Sequence, residues 1–347
     1  MEHPVQIALA SYGMSGQVFH GPFLRVHPGF RVVKILERSK EISKTLFPEA
    51  RIVTTFDQLL EDPRVEVVIV NTPDRFHYEM ARQALQADKH VVVEKPFTFT
   101  SAEADELIGL AKDRQKLLTV YQNRRWDSDF LTLKQVMESG VLGQLVEYES
   151  HFDRFRTVAP HTWKEEEGDH AGVLYNLGSH LVDQALVLFG LPEAVTAHLR
   201  KVRPGSQIFD YFDIRLHYPS FAAILKCSYL VKEEGPRYTL HGTKGSFLKW
   251  GIDPQEEALK TGTLPVGEER GKEPESTQGW LNALANQPDA IVRVPTVPGN
   301  YTPFYDNLYH AVRHRMALAV KPQEARDTIR ILELCLESHL HRRTIEV

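Results

Sequence analysis

The stretch Val91-Val92-Val93-Glu94-Lys95-Pro96 decides the fold of the first third of this chain. Three consecutive β-branched residues are typical of a buried strand. Pro96 ends that strand, because proline has no N–H to donate to a strand ladder. In an open parallel sheet, the ligand crevice lies beyond the carboxyl ends of the strands. Lys95 is therefore expected to face a site of chemistry.

Strands and helices alternate on both sides of this stretch. Strand-like sequence occurs at Val5–Ala10, Arg31–Leu36, Val65–Val70, His90–Val93 and Leu117–Val120. Helical spacing occurs between these strands at Gly16–Val26, in a polar segment through Leu46, at 75–87 and at Ser101–Arg114. Repeated β-α-β order of this kind predicts a doubly wound parallel sheet with right-handed crossovers, the Rossmann type of α/β fold.

The turn after the first strand resembles the dinucleotide-binding fingerprint G-x-G-x-x-G. Ser11 stands at the first glycine position, whereas Gly13 and Gly16 hold the second and third. A glycine at position 13 lets the backbone approach a pyrophosphate, and one at position 16 lets helix and strand pack closely. The N–H groups of the following helix would bind phosphate oxygens. Met14 and Ser15, within this turn, are predicted to contact the cofactor as well.

The end of the second strand bears on which dinucleotide binds. An acidic residue there, Glu37, usually binds the ribose 2′-hydroxyl of NAD, whereas an arginine accommodates the 2′-phosphate of NADP. Arg38, Ser39 and Lys40 follow directly and form a cationic, hydroxyl-bearing cluster suited to phosphate. We favour NADP, and NAD stays open.

Other predicted cofactor contacts lie at the ends of later strands. They are Asn71, Thr72, Pro73, His77, Glu94 and Lys95.

The sequence changes character near Tyr121, which predicts a first domain at 1–120 and a second at 121–347. Several β-rich pieces separated by turn residues follow between 194 and 249, and they predict an α+β domain with an open, mostly antiparallel sheet. The segment 253–279 is rich in Gly, Glu, Pro and Lys and is expected to be a solvated surface excursion. The stretch Gly172–Phe189 has helical spacing, so Asn176 and His180 share one helix face.

Composition limits the class of protein. The 347 residues contain 42% hydrophobic and 25% charged residues and carry a net charge of −5, which argues against a nucleic-acid or anionic-membrane surface. Two cysteines suggest a reducing compartment, and strand-like sequence from Val5 leaves no room for a signal peptide. A cytoplasmic protein is expected. No Cys/His spacing indicates a metal site.

With these motifs together, the chain resembles the Gfo/Idh/MocA oxidoreductase family over its whole length. Further blocks resemble the branch that oxidises scyllo-inositol with NADP, and they are Phe19-His20-Gly21-Pro22-Phe23, Tyr121 to Asp127, Gly235-Pro236-Arg237-Tyr238 and His241-Gly242. The resemblance implies that Lys95 contacts the reacting hydroxyl or carbonyl and that His180 is the second catalytic group. The family has Asp four residues before that His, where this chain has Asn176. Asparagine cannot accept a proton, although its amide can orient a substrate.

Four more residues are predicted to line the substrate pocket: Arg124, Trp126, Arg154 and Trp163. The resemblance also implies a small-molecule substrate and a homodimer or homotetramer that covers the open sheet.

The sequence therefore predicts an NAD(P)-dependent oxidoreductase that transfers hydride to or from a cyclic polyol or sugar, inositol-like in kind. Reduction of a sugar-derived ketone or aldehyde is the enzymatic alternative. A non-catalytic, NAD(P)-binding sensor or regulator is the alternative from another class, and Asn176 is the residue that keeps it open.

Overall fold

The structure, a computed structural model, describes residues 3–158, 170, 172–267, 270–283 and 290–347. They form two compact units. The first contains Met1–Asn123, Pro254–Arg270 and Asn300–Arg326, and the second contains Arg124–Asp253, Gly271–Gly299 and Asp327–Val347. The first unit thus includes chain segments from beyond residue 250, and the sequence boundary at residue 120 stays a prediction.

The first unit is built on a six-stranded sheet. Its strands are β1 Val5–Leu9, β2 Phe30–Leu36, β3 Arg51–Val53, β4 Val67–Val70, β5 His90–Val93 and β6 Leu118–Val120. Their order is β3-β2-β1-β4-β5-β6, and every neighbouring pair is parallel. This is the order of a doubly wound dinucleotide-binding sheet, whose strand order reverses between β1 and β4. The predicted Rossmann fold is confirmed.

The second unit contains a nine-stranded sheet. Its strands are β7 Leu145–His151, β8 Ala194–Arg200, β9 Tyr211–His217, β10 Ala222–Ser228, β11 Tyr238–Gly242, β12 Gly245–Lys249, β13 Gly279–Ala283, β14 Val292–Val294 and β15 Ile345–Glu346. The order is β14-β13-β12-β11-β7-β10-β9-β8-β15. The pair β7–β10 is parallel and the other pairs are antiparallel, so the expected open, mostly antiparallel sheet is confirmed.

The two faces of this second sheet differ in character. On β9, Phe212, Ile214 and Leu216 are fully buried, whereas Arg215 between them is exposed. Period-two alternation of this kind places one face on a core and leaves the other face polar. Lys226 and Glu149 form an ion pair of 2.6 Å on the polar face. Cover of that face by another subunit stays a prediction.

The helices are short to medium in length. They are α1 Gly21–Val26, α2 Phe56–Leu60, α3 His77–Gln86, α4 Ser101–Asp113, α5 Ser128–Glu138, α6 Ser179–Phe189, α7 Gln255–Lys260, α8 Thr302–His314 and α9 Pro322–His341. Two turns of π-helix, Ser15–His20 and Leu174–Gly178, precede α1 and α6. Among the described residues, no helix is both long and apolar enough to cross a bilayer.

Local chemistry explains where α4 begins. Thr100 precedes α4, and its hydroxyl accepts the Glu103 N–H at 3.2 Å while the Glu103 carboxylate accepts the Thr100 N–H at 3.1 Å. This reciprocal pair is a capping box, which satisfies two N–H groups that have no partner within the helix.

The structure differs from the sequence prediction after β2. The polar helix expected through Leu46 is only a 3₁₀ turn at Ile42–Thr45, and β3 and α2 follow it. Pro48 disfavours helical geometry at the residue before it, so the turn cannot lengthen into a helix.

A second difference concerns the predicted surface excursion at 253–279. Lys249, at the end of β12, is fully buried, and its ammonium donates to Glu273 at 2.6 Å and to the Thr277 carbonyl at 2.9 Å. The segment therefore contributes Glu273 to a buried ion pair, and it also has exposed residues. Composition alone cannot distinguish a paired charge from a solvated one.

Candidate active site

The dinucleotide-binding turn lies between β1 and the first π-helical turn. The Gly13 N–H donates to the Ser11 hydroxyl at 3.1 Å. The serine at the first glycine position therefore departs from the fingerprint but stabilises the turn. A Cβ at Gly16 would lie 2.8 Å from the Ser11 carbonyl oxygen, whereas a Cβ at Gly13 would meet only the Ser11 hydroxyl, at 3.5 Å. Gly16 is thus required for packing beneath the turn, and Gly13 keeps its outer side open.

A groove of about 580 Å³ runs from this turn toward the end of β2, within the usual size of a small-molecule site. Arg38, Ser39 and Lys40 line it and are exposed. Arg75 also lines it, with its guanidinium 5.0 Å from the centre of the Phe76 ring. The cationic cluster predicted from the sequence therefore faces an open groove.

Glu37 lines the same groove, but its carboxylate has internal partners. One oxygen accepts the Ile42 N–H at 3.0 Å, and the other accepts the Ser43 N–H at 3.1 Å together with the Ser43 hydroxyl. The residue is 9% exposed. These N–H groups begin the Ile42–Thr45 turn and bind the carboxylate locally, and contact of Glu37 with the cofactor ribose stays a prediction.

Residues at the ends of β4 and β5 connect the loops of the site. The Asn71 amide donates to the Ser11 carbonyl at 2.9 Å. His77 is 1% exposed, with Nδ1 2.8 Å from the Pro96 carbonyl oxygen and Nε2 3.0 Å from that of Thr72. His77 thus braces two loops through both ring nitrogens, and its contact with the cofactor stays a prediction.

Glu94 and Lys95 follow β5, as the sequence predicted. Glu94 is 8% exposed; one of its oxygens accepts the Ser15 hydroxyl at 2.5 Å and the other accepts the Lys95 N–H at 3.1 Å. Burial alone would raise the pKa of Glu94, but the hydrogen bond and charge of His20, with the Ser15 hydroxyl, hold that pKa below its ordinary value. An ionised carboxylate therefore links the dinucleotide turn to the Lys95 turn.

In the second unit, Phe152 brings together several predicted residues. The ring of His180 stacks on it, with the ring centres 6.4 Å apart at 28°. The guanidinium groups of Arg124 and Arg154 lie 5.0 Å and 4.7 Å from its centre. Arg237 adds a third guanidinium at 4.6 Å. Cations over an aromatic face are favourable, so this ring gathers three guanidinium groups beside His180.

Acidic residues hold these cations in place. Arg124 is bound to Asp127 at 2.9 Å, and Arg237 is bound to Asp129 at 3.2 Å. Arg125 and Asp183 form a further pair of 2.6 Å between the turn Asn123–Trp126 and α6. Positions fixed by bidentate or buried ion pairs are well defined in geometry.

Asn176 and His180 lie on either side of a change in helix type. Asn176 is in the π-helical turn Leu174–Gly178, and His180 is in the first turn of α6 and is 4% exposed. Single π turns are frequent at functional sites. Trp126 ends the turn Asn123–Trp126 and is partly buried, whereas Trp163 lies outside the described residues.

Sequence reasoning missed the residues that support the site: Phe152, Ser43 and Tyr305. Arg237 belongs to the block Gly235-Pro236-Arg237-Tyr238, to which sequence reasoning assigned no role in the site. The signal for Phe152 was weak, because an aromatic residue after a strand is usually a core residue. No group of His, Cys, Asp and Glu in the described part of the chain could hold a metal ion.

Comparison with known proteins identifies the family. Residues 5–122 match the model of the Gfo/Idh/MocA oxidoreductase family, NAD-binding Rossmann fold. Residues 134–347 match the model of its C-terminal alpha/beta domain.

Two curated relatives match over nearly the whole chain. The chain is 40% identical to scyllo-inositol 2-dehydrogenase (NADP(+)) IolW of Bacillus subtilis, over 98% of this chain and 95% of that protein. It is 39% identical to the uncharacterized oxidoreductase YdgJ of Escherichia coli, over 99% of both. The solved structure of the putative oxidoreductase yvaA from Bacillus subtilis matches with a TM-score of 0.96 at 39% identity, covering 99% of this chain and 98% of that one. The chain therefore belongs to the Gfo/Idh/MocA family and is an NAD(P)-dependent oxidoreductase.

Proposed function

We propose that this oxidoreductase transfers hydride between NADP(H) and a CH–OH carbon of a cyclic polyol or sugar, with an inositol as the first substrate to test. The observation that carries the proposal is the position of Lys95. It follows β5 directly and shares a turn with Glu94, whose carboxylate contacts Ser15 in the dinucleotide-binding turn. Similarity to a scyllo-inositol dehydrogenase over nearly the full chain supports the substrate class.

The residues of the groove fit a dinucleotide. Gly13 is open on its outer side, and the cationic residues Arg38 and Lys40 line the groove. The Asn71 side-chain oxygen and the Thr72 hydroxyl are buried and make no hydrogen bond to any described residue. Buried polar atoms without partners are costly, so donors and acceptors supplied by a bound nucleotide would satisfy them.

The preference for NADP rests on Glu37 and Arg38. Three internal hydrogen bonds hold the Glu37 carboxylate against the Ile42–Thr45 turn, which reduces its reach toward a ribose hydroxyl. The exposed Arg38 guanidinium can bind a 2′-phosphate bidentately, and NAD offers only a hydroxyl at that position.

The protein contributes charge and proton transfer to the reaction. When bound, the nicotinamide accepts or supplies the hydride. In the oxidation direction, His180 accepts the proton of the substrate hydroxyl as a general base, and it returns that proton in reduction. The Lys95 ammonium stabilises negative charge that develops on the reacting oxygen. Asn176 orients the substrate through its amide.

A turnover screen tests this proposal. Inositol isomers and aldoses are offered with NADP and with NAD, and sugar-derived ketones with NADPH, while the absorbance of the reduced nicotinamide is followed. Lys95→Ala should lower kcat by about 10²–10³, and His180→Ala should lower it by about 10²–10⁴ and flatten the pH dependence of oxidation.

Wild-type-like turnover in either purified, folded variant would contradict the role given to that residue. Binding of NADP(H) without turnover of any substrate in the screen would favour the sensor alternative.

We also propose a homo-oligomer formed through the polar face of the nine-stranded sheet. The molar mass measured by light scattering would test this proposal.

A further inference from the structure

A buried hydrogen-bond network lies beneath the Lys95 turn, and its central residue is His20. This residue ends the π-helical turn Ser15–His20 and is fully buried. Its Nε2 lies 3.1 Å from Glu94 Oε1, and its Nδ1 lies 3.0 Å from the Tyr305 hydroxyl. All of these residues belong to the first unit. The block Phe19-His20-Gly21-Pro22-Phe23 therefore has a specific contact with the catalytic strand end.

The direction of the hydrogen bond at Nδ1 follows from the partners of Tyr305. The Tyr305 hydroxyl is 2.7 Å from the Phe19 carbonyl oxygen, which can only accept. A phenol has one proton to donate, so that proton points to the Phe19 carbonyl. The Tyr305 oxygen must then accept from His20, and Nδ1 carries a proton.

The contact at Nε2 joins His20 to the Glu94 carboxylate. Glu94 Oε1 lies 3.1 Å from Nε2 and also accepts the Ser15 hydroxyl, and Glu94 Oε2 accepts the Lys95 N–H. The pKa of Glu94 is lowered despite the burial that opposes this, because His20 and Ser15 stabilise the carboxylate. His20 therefore contacts the carboxylate that joins the dinucleotide-binding turn to the Lys95 turn.

We propose that His20 is a positioning residue that fixes the Glu94 carboxylate between the dinucleotide-binding turn and the Lys95 main chain. His20 acts on the reaction through Glu94 and Lys95. The π turn places it there, because the Gly21 N–H bonds back to the Gly16 carbonyl, five residues earlier. The effect on catalysis rests on the proposed role of Lys95, whereas the hydrogen-bond pattern of His20 does not.

The groups that face His20 all belong to the first unit. They are Glu94 and Ser15 on one side, Tyr305 of α8 on the other, and Tyr121, whose ring centre is 4.6 Å from that of His20. The charge of Lys95 acts on Glu94 from beyond the pair. Burial raises the pKa of Tyr305 well above its ordinary value, so this phenol keeps the proton that it donates to the Phe19 carbonyl.

Nitrogen NMR of the full chain labelled with ¹⁵N-histidine tests the hydrogen-bond direction directly. A proton on Nδ1 is expected for His20, with its signals assigned by their absence in His20→Gln. An unprotonated Nδ1 would overturn the proposed contacts, since the Tyr305 hydroxyl would then donate to the ring instead of the Phe19 carbonyl. This measurement needs no substrate, so it decides the assignment even if the proposed activity fails.

Kinetics then test the positioning role. His20→Phe removes both donors and should lower kcat by roughly a hundredfold, the order of loss that follows a misplaced catalytic group, with little change in the KM for the polyol. His20→Gln keeps one amide donor for Glu94 and should recover part of that loss. Equal, wild-type-like kcat in both variants would overturn the role.

Tyr305→Phe keeps the inference testable if the His20 variants do not fold. It keeps the ring in place and removes the hydroxyl that accepts the Nδ1 proton and donates to the Phe19 carbonyl, so kcat should fall with little change in the KM for the polyol. Tyr309→Phe, the same change on the same helix and outside this network, is the matched control and should leave kcat unchanged. An equal, wild-type-like kcat in Tyr305→Phe and Tyr309→Phe would contradict the contact through Tyr305.

Discussion

Replacement of Arg38 by alanine should weaken the binding of NADP(H) and leave that of NAD(H) nearly unchanged. Arg38 is exposed and lines the groove at the end of β2, where its guanidinium can bind a 2′-phosphate. A hydrogen bond to a charged group contributes about 1.5–3 kcal/mol, which corresponds to roughly ten- to a hundredfold in Kd. Because water and salt reach an exposed site, we expect a value toward the lower end of that range.

Fluorescence titration of NADPH and NADH measures both Kd values, at low and at high salt. Arg31→Ala is the matched control, because Arg31 is an exposed arginine at the other end of β2 that pairs with Glu49 at 2.7 Å. It should leave both affinities unchanged. Equal losses for the two cofactors in Arg38→Ala, or a wild type that prefers NADH, would refute the reasoning. Either result would indicate that Glu37 binds the ribose hydroxyl.

A companion change tests the restraint on Glu37. Ser43→Ala removes the hydroxyl donor to Glu37 and keeps the two main-chain donors, so the carboxylate gains freedom to reach a ribose hydroxyl. The ratio of the NADPH and NADH affinities should shift toward NADH by a factor of about three to ten, the equivalent of one ordinary hydrogen bond. An unchanged ratio in a folded protein would mean that the main-chain donors alone hold Glu37.

Three further changes have defined outcomes. Burial, and then the charge of Lys116, lowers the pKa of His90 from 6.5 to about 4. As the pH falls, His90 is therefore protonated in the unfolded chain before it is protonated in the folded protein. The contribution of His90 to the free energy of unfolding is complete above pH 6.5, and the free energy of unfolding falls by about 3 kcal/mol as the pH drops toward 4. His90→Asn keeps an acceptor for the Leu117 N–H, which now bonds His90 Nδ1 at 2.9 Å, and urea unfolding at several pH values should show a flatter dependence than in wild type. Asn176→Asp changes little in shape but favours the imidazolium form of His180, so the optimum for oxidation should move to higher pH; a folded variant without activity would make Asn176 a specific substrate contact. Gly16→Ala should weaken NADPH and NADH equally, because its Cβ would approach the Ser11 carbonyl to 2.8 Å and displace the turn that both cofactors share, and a selective loss of one cofactor in titration would contradict this.

The sequence determined the central strands and the positions of the catalytic candidates. Strands β4 and β5 are continuous apolar runs because neighbours cover them on both faces, so their pattern is visible without any structure. The same pattern locates Glu94 and Lys95, which follow β5. Helical spacing likewise predicted the helix that carries His180.

The edge strands escaped sequence analysis. β3 has three residues and β15 has two, and both contain exposed positions. Segments this short have too few residues to establish a period, and they are strands only because a partner strand supplies hydrogen bonds. The π turns are hidden for a related reason, since an apolar pattern near helical spacing does not specify whether the N–H bonds four or five residues back.

Only the tertiary structure decided what several polar side chains do. Glu37 caps a local turn, His77 bonds the Pro96 carbonyl 19 residues away, and His20 bonds Tyr305 at a separation of 285 residues. Such orientations depend on which donors and acceptors the fold brings within hydrogen-bond distance, and no local pattern encodes partners so distant in sequence. The sequence by itself therefore determined where the candidate residues lie along the chain, and the fold determined which hydrogen-bond partners these polar side chains meet.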